Sequence, residues 1–381
     1  MPPTAVPRAL TQAIVKVLFD HQAFSLQRYG GVSRYFYELS TRLARVNGLD
    51  VEIVAPFYVS RYFSDNSTFR PRGFSVPDFA ISADLRRRAN NLVSRAANCR
   101  RWDVDVFHET YYSATDAAPP SAARVITVYD MIHEKFPECF SASDSTSRIK
   151  RQAVERADHV ICISESTRRD LLELTGIVAG KTSVVSLGHE LMSASAPESR
   201  SPIGEGPFVL YVGSRGGYKN FSAVIEAFAM SRSMRDEFSL VCFGGGPFTP
   251  AEDRQLRSSG LGPKKVTQIG GGDEVLAQLY KSAAALVYPS LYEGFGIPPL
   301  EAMSFGCPVI CANTSSLPEV VGDAAETFDP TEPGAILVAM ERVLGVPERA
   351  RELISLGNER AHQFSWDRCA RETLEIYQRK L

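Results

Sequence analysis

Short apolar runs alternate with longer segments of helical periodicity along most of the chain. Residues 14–19, 51–55, 104–107, 124–128, 159–163 and 183–187 have the length and β-branched content of buried strands. A glycine turn at Gly30 and Gly31 leads into a helix predicted over 32–46, and Ser164 is placed to cap a helix that begins at Glu165. Strand and helix in alternation predict right-handed βαβ units around a parallel sheet. The rhythm breaks over 190–206, a stretch rich in Ser, Pro and Gly that reads as a linker. It then restarts with strands over 208–212, 238–243, 285–288 and 308–311 and helices over 220–230 and 274–283. The tail, 366–381, is an amphipathic helix. The pattern therefore predicts an α/β protein of two halves, with domains over 1–195 and 205–365.

Composition narrows this picture without changing it. A chain of 381 residues exceeds one ordinary core. Apolar content of 44% and charged content of 23% describe a soluble globular protein, and a net charge of −2 argues against a general nucleic-acid binder. The cysteines, at 99, 139, 162, 242, 307, 311 and 369, are odd in number and form no C-x-x-C pair. They fit reduced thiols in a cytoplasmic protein better than a disulfide frame or a zinc site. No run of ~18 apolar residues spans a membrane, and the N-terminus lacks a signal-peptide layout. A cytoplasmic location follows as the expectation, with contact at the inner face of the cell membrane left open.

The most informative stretch is Leu291 to Ala302. Glu293 stands before Gly294-Phe295-Gly296, and Glu301 follows eight residues later in an apolar helical segment opened by Ile297. Glycines let the backbone approach an anion closely, and a helix start supplies unpaired N–H groups and a positive dipole end. Two carboxylates bracketing such a cradle can accept hydrogen bonds from sugar hydroxyls, the chemistry a nucleotide-sugar needs. The plainer reading is a glycine-rich turn with one exposed and one capping carboxylate. Arg215 and Lys219, after the 208–212 strand, offer a fork and a point charge for a diphosphate, or else two solvated loop cations. The amides around Gly30 and Gly31 offer a second anion cradle, or a plain strand-to-helix turn. Neither that segment nor Gly244-Gly-Gly246 matches G-x-G-x-x-G, so no dinucleotide fingerprint is present.

Three further clusters are ambiguous. Asp130 and His133 follow the 124–128 strand and are candidates to contact a transferred sugar, although a lone loop histidine is often only a surface residue. Asp103 and Asp105 form a D-x-D, a pattern that binds metal-nucleotide complexes elsewhere; at the opening of a strand it reads as two solvated acids. The segment from Arg86 to Arg101 carries six arginines among Leu85, Leu92 and Val93. It is either a solvated helix face or a basic amphipathic surface for an anionic membrane.

The run S-L-Y-E-G-F-G-I-P-P-L-E-A-M, together with Gln27–Tyr35 and Tyr211–Asn220, resembles the retaining GT-B glycosyltransferases of family 4. The resemblance spans both halves and is strongest between Gly270 and Gly322. It implies two Rossmann-like domains facing across a cleft, with the C-terminal helix crossing back to the N-terminal domain. It implies that Glu301 holds the ribose and that Glu293, Phe295 and Gly296 hold the sugar. Arg215, Lys219 and Gly31 would stabilise the departing diphosphate, and Gly30, Gly213, Gly244, Val275, Gly294 and Ile297 would line the nucleotide-sugar site. Tyr129 stands where the family often has a histidine, which leaves Asp130 and His133 as the polar partners of the sugar. The implied partners are a nucleotide-sugar donor and a glycan or polyprenyl-linked acceptor, with no cofactor, no essential metal and no nucleic acid. The wording of the motif is similar to bacterial mannosyltransferases of surface polysaccharide pathways. Asp273 or Glu274 can pair with the N1–H and N2–H₂ edge of guanine, which favours GDP-mannose. A UDP-sugar or another GDP-sugar, a GT-B epimerase and a non-catalytic nucleotide-sugar binder remain as alternatives. A phosphorylase would need a pyridoxal-phosphate lysine, for which there is no sequence context.

Overall fold

The computed structural model describes residues 15–63, 69–78, 82–189, 206–332 and 334–380. The predicted linker over 190–206 lies outside the described residues except for Gly206, as does position 14 of the first predicted strand. The strands are β1 (Val15–Phe19), β2 (Leu49–Tyr58), β3 (Arg72–Ser75), β4 (Val106–Glu109), β5 (Ala123–Val128), β6 (His159–Cys162) and β7 (Thr182–Val184). After the linker come β8 (Phe208–Val212), β9 (Ser239–Phe243), β10 (Val266–Ile269), β11 (Ala285–Tyr288), β12 (Val309–Ala312) and β13 (Glu326–Phe328). They form a seven-stranded sheet of order β3-β2-β1-β4-β5-β6-β7 and a six-stranded sheet of order β10-β9-β8-β11-β12-β13. β1 pairs in parallel with β2 and β4, and β8 pairs in parallel with β9 and β11.

The chain divides into two compact units. One comprises Met1–Thr127, Arg148–Ile161 and Ala370–Leu381; the other comprises Val128–Ser147 and Cys162–Cys369. Strands β4, β6, β8, β11 and β12 are buried at every position, as a parallel sheet covered on both faces requires. Each sheet therefore reads as near-continuous apolar runs, the signal that made these strands legible. In the first unit, residues 370–380 of the final helix, Trp366–Lys380, are anchored by Tyr377, whose hydroxyl lies 2.5 Å from His108 Nδ1. His108 Nε2 is in turn 2.9 Å from Thr127 Oγ1, and burial pushes the imidazole down to about 3, so it stays neutral.

In both sheets the strand order reverses direction beside the first strand of the half. Ligands of open α/β sheets bind outside the carboxyl ends of the strands at such a switch point. In the second unit the loops at that point are the ones leaving β8 and β11: residues 213–220 and 289–296. The segments with the strongest chemistry in the sequence lie there. Ser164 caps the helix Glu165–Thr175 as expected, accepting from Thr167 N at 3.0 Å.

Candidate active site

Lys219 and Glu293 form the centre of the second unit's switch point. The chain leaves β8 through Gly213, at φ +131°, and turns at Gly217–Lys219 into Asn220, itself left-handed at φ 54°. The β11 loop is tied to this turn by Leu291 N, which donates to Tyr218 O at 2.7 Å. The ties leave Lys219 Nζ donating to Glu293 Oε1 at 2.6 Å, with the two side chains only 16% and 10% exposed. The Tyr288 hydroxyl also hydrogen-bonds Glu293. Burial works against the Lys219 ammonium, but Glu293 and, more weakly, Asp130 outweigh it, so the pKa is raised and the lysine keeps its charge.

The glycine turn after Glu293 is pinned from several sides. Glu293 N donates to Ser315 Oγ at 2.8 Å, and Ser316 Oγ bonds both Glu293 O and Phe295 O at 2.9 Å. Thr167 Oγ1 donates to Gly294 O at 3.2 Å. A Cβ on Gly294 would lie 1.8 Å from Tyr129 O, so the backbone at Tyr129 abuts this turn. Gly296, at φ 103°, begins the helix Ile297–Ser304. Pro298 and Pro299 have no N–H, so the donors this helix start can offer a ligand are the amides of Gly296 and Ile297.

Asp130 lies next to this contact and accepts from Ile132 N at 3.0 Å. His133 stacks on Phe140 with ring centroids 3.9 Å apart, and its Nδ1 is buried without a hydrogen-bond partner. Glu301 is buried on the helix Ile297–Ser304, where the Tyr280 hydroxyl donates to it at 3.3 Å. Burial first and Glu301 second hold Tyr280 well above the usual phenol range, which keeps that donor protonated.

Arg215 is placed differently from Lys219. Its side chain is 2% exposed and its donors are directed at protein: Nε to Glu252 Oε1 at 2.8 Å, Nη1 to Gly244 O at 2.9 Å, and Nη2 to Gly246 O and Pro247 O at 2.9 and 3.0 Å. The guanidinium also stacks over Phe248 at 4.7 Å. Gly244, Gly245 and Gly246 have φ of 87°, 68° and 70°, a left-handed run open only to glycine at low cost. Arg215 thus holds the loop that leaves β9, a different set of partners from the diphosphate its position suggested. Arg215→Lys supplies one charge but not the fork. The expected outcome is a melting temperature lowered by several degrees and weaker nucleotide binding, read by calorimetry and donor titration. A variant with parental melting and affinity would show that the clamp is dispensable.

The remaining sequence candidates lie on other elements. Asp273 and Glu274 open the helix Asp273–Ser282 after β10 and are exposed, with Val275 half-buried behind them. Gly30 and Gly31 begin the helix Gly31–Leu43 in the other unit, and a Cβ on Gly31 would meet nothing within 4 Å. The D-x-D acids are occupied: Asp103 pairs with Lys16 at 2.7 Å and with Arg101 at 3.4 Å, and Asp105 accepts from Lys16 N at 2.7 Å.

Sequence reasoning missed several polar groups. In the second unit, Asp170 accepts from Tyr292 at 2.6 Å and pairs with Lys135 at 2.7 Å. Glu319 takes the first two amides of the helix Glu165–Thr175, each at 2.9 Å. In the first unit, Asp20 and Glu109 sit where β1 and β4 end, at that sheet's own switch point. Asp20 accepts from Thr110 N at 2.8 Å, and burial pushes its carboxyl up to about 6. Arg156 Nε donates to Glu109 at 2.9 Å, and burial pushes Glu109 up to about 7 despite this partner. The signal available was position alone: an acid at the carboxyl end of each of two strands that flank the reversal.

The chain matches the family described as Glycosyltransferase Family 4 over residues 29–191 and the one described as Glycosyl transferases group 1 over residues 195–360. It is 30% identical over 366 residues to the O-antigen chain mannosyltransferase B of Escherichia coli, an alignment covering 91% of this chain and 95% of that one. It is 29% identical over 238 residues to the MMP alpha-(1->4)-mannosyltransferase of Mycolicibacterium hassiacum, covering 61% of this chain and 56% of that one. Among solved structures, the sucrose-phosphate synthase of Thermosynechococcus elongatus superposes with a TM-score of 0.71 at 20% identity, covering 96% of this chain and 98% of that one. With the GT-B architecture and a Lys–Glu pair at the switch point already in place, these likenesses close the assignment: the chain belongs to the group 1, family 4 glycosyltransferases.

Proposed function

We propose that this glycosyltransferase moves mannose from GDP-mannose, with retention of configuration, onto a glycan or lipid-linked acceptor in the synthesis of a surface polysaccharide. The observation that carries the reading is the Lys219–Glu293 pair, largely buried at the carboxyl ends of β8 and β11. A cation held there is preorganised to neutralise charge developing on a departing diphosphate, usually the largest catalytic contribution. The Gly296 and Ile297 amides add donors at the positive end of a helix. In this reading Glu301 takes the ribose hydroxyls, and Glu293 with the Phe295 amide takes the sugar. Asp130 and His133 are its further polar partners. Arg215 acts as a positioning residue through the Gly244 loop. Gly30 and Gly31 supply a second anion cradle in the first unit.

With Lys219 and amides serving the diphosphate, and Asp103 committed to Lys16 and Arg101, the reaction needs no metal. Retention proceeds by attack on the face the leaving phosphate vacates, with that phosphate taking the acceptor proton. Mannose is supported by the named mannosyltransferases among the relatives. Guanine is supported by Asp273 and Glu274, two exposed carboxylates at the start of the helix after β10 that suit a base edge with two donors.

The test is nucleotide release from GDP-mannose, GDP-fucose, UDP-glucose and UDP-N-acetylglucosamine, each with and without a mannobiose acceptor and with EDTA. GDP release from GDP-mannose alone, accelerated by acceptor, unaffected by EDTA and giving an α-linked product by NMR, is expected. UDP release would overturn the donor, and a β-linked product would overturn retention. Loss of activity with EDTA that Mg²⁺ or Mn²⁺ restores would overturn the metal-free reading. A freed, isomerised sugar would indicate an epimerase, and donor binding without turnover would indicate a non-catalytic binder.

A further inference from the structure

The commitment of Arg215 to Glu252 and to the Gly244, Gly246 and Pro247 carbonyls leaves Lys219 as the cation of the β8 turn that is not held by carbonyls. A nucleotide diphosphate carries several negative charges, and its departure adds to them. The residue before Lys219, Tyr218, carries a donor that the protein does not use. The other tyrosines around this switch point are committed: Tyr211 donates to Ser214 O, Tyr280 to Glu301 at 3.3 Å and Tyr292 to Asp170 at 2.6 Å, while Tyr288 bonds Glu293. Asn220, on the far side of Lys219, directs its amide to Pro289 O at 3.3 Å. Among the described residues, none hydrogen-bonds the half-buried Tyr218 hydroxyl.

The position of Tyr218 is fixed through backbone and ring, and all the groups that fix it belong to the second unit. Its carbonyl accepts from Leu291 N at 2.7 Å, and Lys219 N and Asn220 N close the turn onto Gly216 O and Gly217 O, each at 3.1 Å. Gly217 has φ +53°, and a Cβ there would lie 2.7 Å from Cys139 Sγ, so Cys139 packs against the turn. The Tyr218 ring lies 5.3 Å from Lys219 Nζ, a cation–π contact, and 6.0 Å from the ring of Phe136. The charged and titratable groups around its hydroxyl are Lys219, Glu293, Asp130 and Cys139. Burial first, then Glu293 and Asp130, raises this phenol above its ordinary 10 against the pull of Lys219, so it is an O–H donor throughout the neutral range. A neutral donor beside an ammonium complements an anion: the lysine supplies charge and the phenol a directed hydrogen bond, each stronger for an ionised acceptor.

We propose that the Tyr218 hydroxyl donates to the distal phosphate of the nucleotide diphosphate beside Lys219, as a further catalytic residue of the transfer. The inference rests on the diphosphate reading of Lys219. As the bond between the sugar carbon and the phosphate oxygen breaks, its electron pair stays on that phosphate, so a donor placed there strengthens towards the transition state. Tyr218→Phe keeps the ring with its Lys219 and Phe136 contacts and removes only the O–H. GDP, GMP, UDP and UMP are titrated into the parent and the variant, and the base the parent selects decides which pair is read. The variant should lose about tenfold or more in diphosphate affinity, with monophosphate affinity and melting temperature unchanged. Its kcat should fall ~10²-fold with a smaller change in KM, and phosphorus NMR should show the distal resonance of the bound diphosphate shifted and the inner one in place. A variant that keeps parental diphosphate affinity and kcat overturns the inference, as does an equal loss for diphosphate and monophosphate. A lowered melting temperature with parallel losses assigns the hydroxyl a structural role and overturns it too. A parent chain that binds diphosphate and monophosphate alike overturns the diphosphate reading of Lys219 and this inference with it. A parent that prefers diphosphate, with a variant that prefers it equally, overturns this inference alone.

Discussion

A Lys219→Ala variant transfers sugar ~10²–10³-fold more slowly than the parent chain and melts at a lower temperature. Two consequences of one buried pair are separable here. Removing the ammonium leaves Glu293, whose side chain is 10% exposed, facing no cation at 2.6 Å. Breaking such a pair from one side costs about 3 kcal/mol, chiefly from the charge left behind, which lowers the melting temperature by roughly 6–12 °C. Lys219→Met combined with Glu293→Gln removes both charges and keeps the volumes, so most of the lost stability returns. Turnover does not return, because no cation meets the departing diphosphate. Calorimetry and steady-state kinetics on the two variants and the parent decide this, and activity recovering in step with stability would reduce Lys219 to a structural role. Burial opposes the lysine's charge and Glu293 restores it with a surplus, so the folded pKa lies above the ordinary 10.5. The pair's contribution is therefore complete below that value and is lost only as pH rises through the folded pKa, which leaves the neutral range flat with respect to Lys219.

The interior strands of both sheets were legible because strands buried on both faces read as unbroken apolar runs. The edges were not. β3 is exposed along its whole length, and β10 and β13, Val-Thr-Gln-Ile and Glu-Thr-Phe, carry too few apolar residues to show a period. Missing β10 also hid what Asp273 follows. At the site, the glycine turn, Lys219 and Glu293 were readable because close backbone approach and charge leave marks at fixed spacing. Tyr280, Asp170 and Tyr292 were not, since each acquires its partner only when separate segments pack; Tyr292 and Asp170 stand 122 residues apart. Arg215 shows the reverse limit: the residue was conspicuous, but the loop carbonyls that receive its hydrogen bonds could not be read from its position. The arginine-rich stretch was legible as a helix, whereas the burial of Arg86, Asn90 and Asn98 on its inner face depends on Ser25, Phe57 and Ala117 being within reach.

Gly294→Ala is expected to cut turnover by ~10²-fold or more in a protein that still folds. The reason is space. A methyl group at this position would lie 1.8 Å from Tyr129 O, 2.9 Å from Tyr129 C and 3.0 Å from Asp130 Cβ. The first two are backbone atoms that no rotamer change can move aside. The turn cannot easily recede, because Ser315, Ser316 and Thr167 hold it through Glu293 N, Glu293 O, Phe295 O and Gly294 O. The Tyr129 backbone must give way instead, and Asp130 moves with it. Overpacking of this kind costs about 1–3 kcal/mol, small enough for the chain to fold and large enough to displace Asp130 and Glu293 from any common geometry. Gly216→Ala provides the control: that glycine has φ −95° and nothing within 4 Å of its added carbon, so its melting temperature should match the parent's. If Gly294→Ala melts and turns over like the parent while Gly216→Ala does the same, the contact between Tyr129 and the glycine turn does not set the site. If Gly294→Ala loses turnover while its donor affinity falls less than tenfold, the backbone contact acts on the reacting sugar and the nucleotide pocket remains formed.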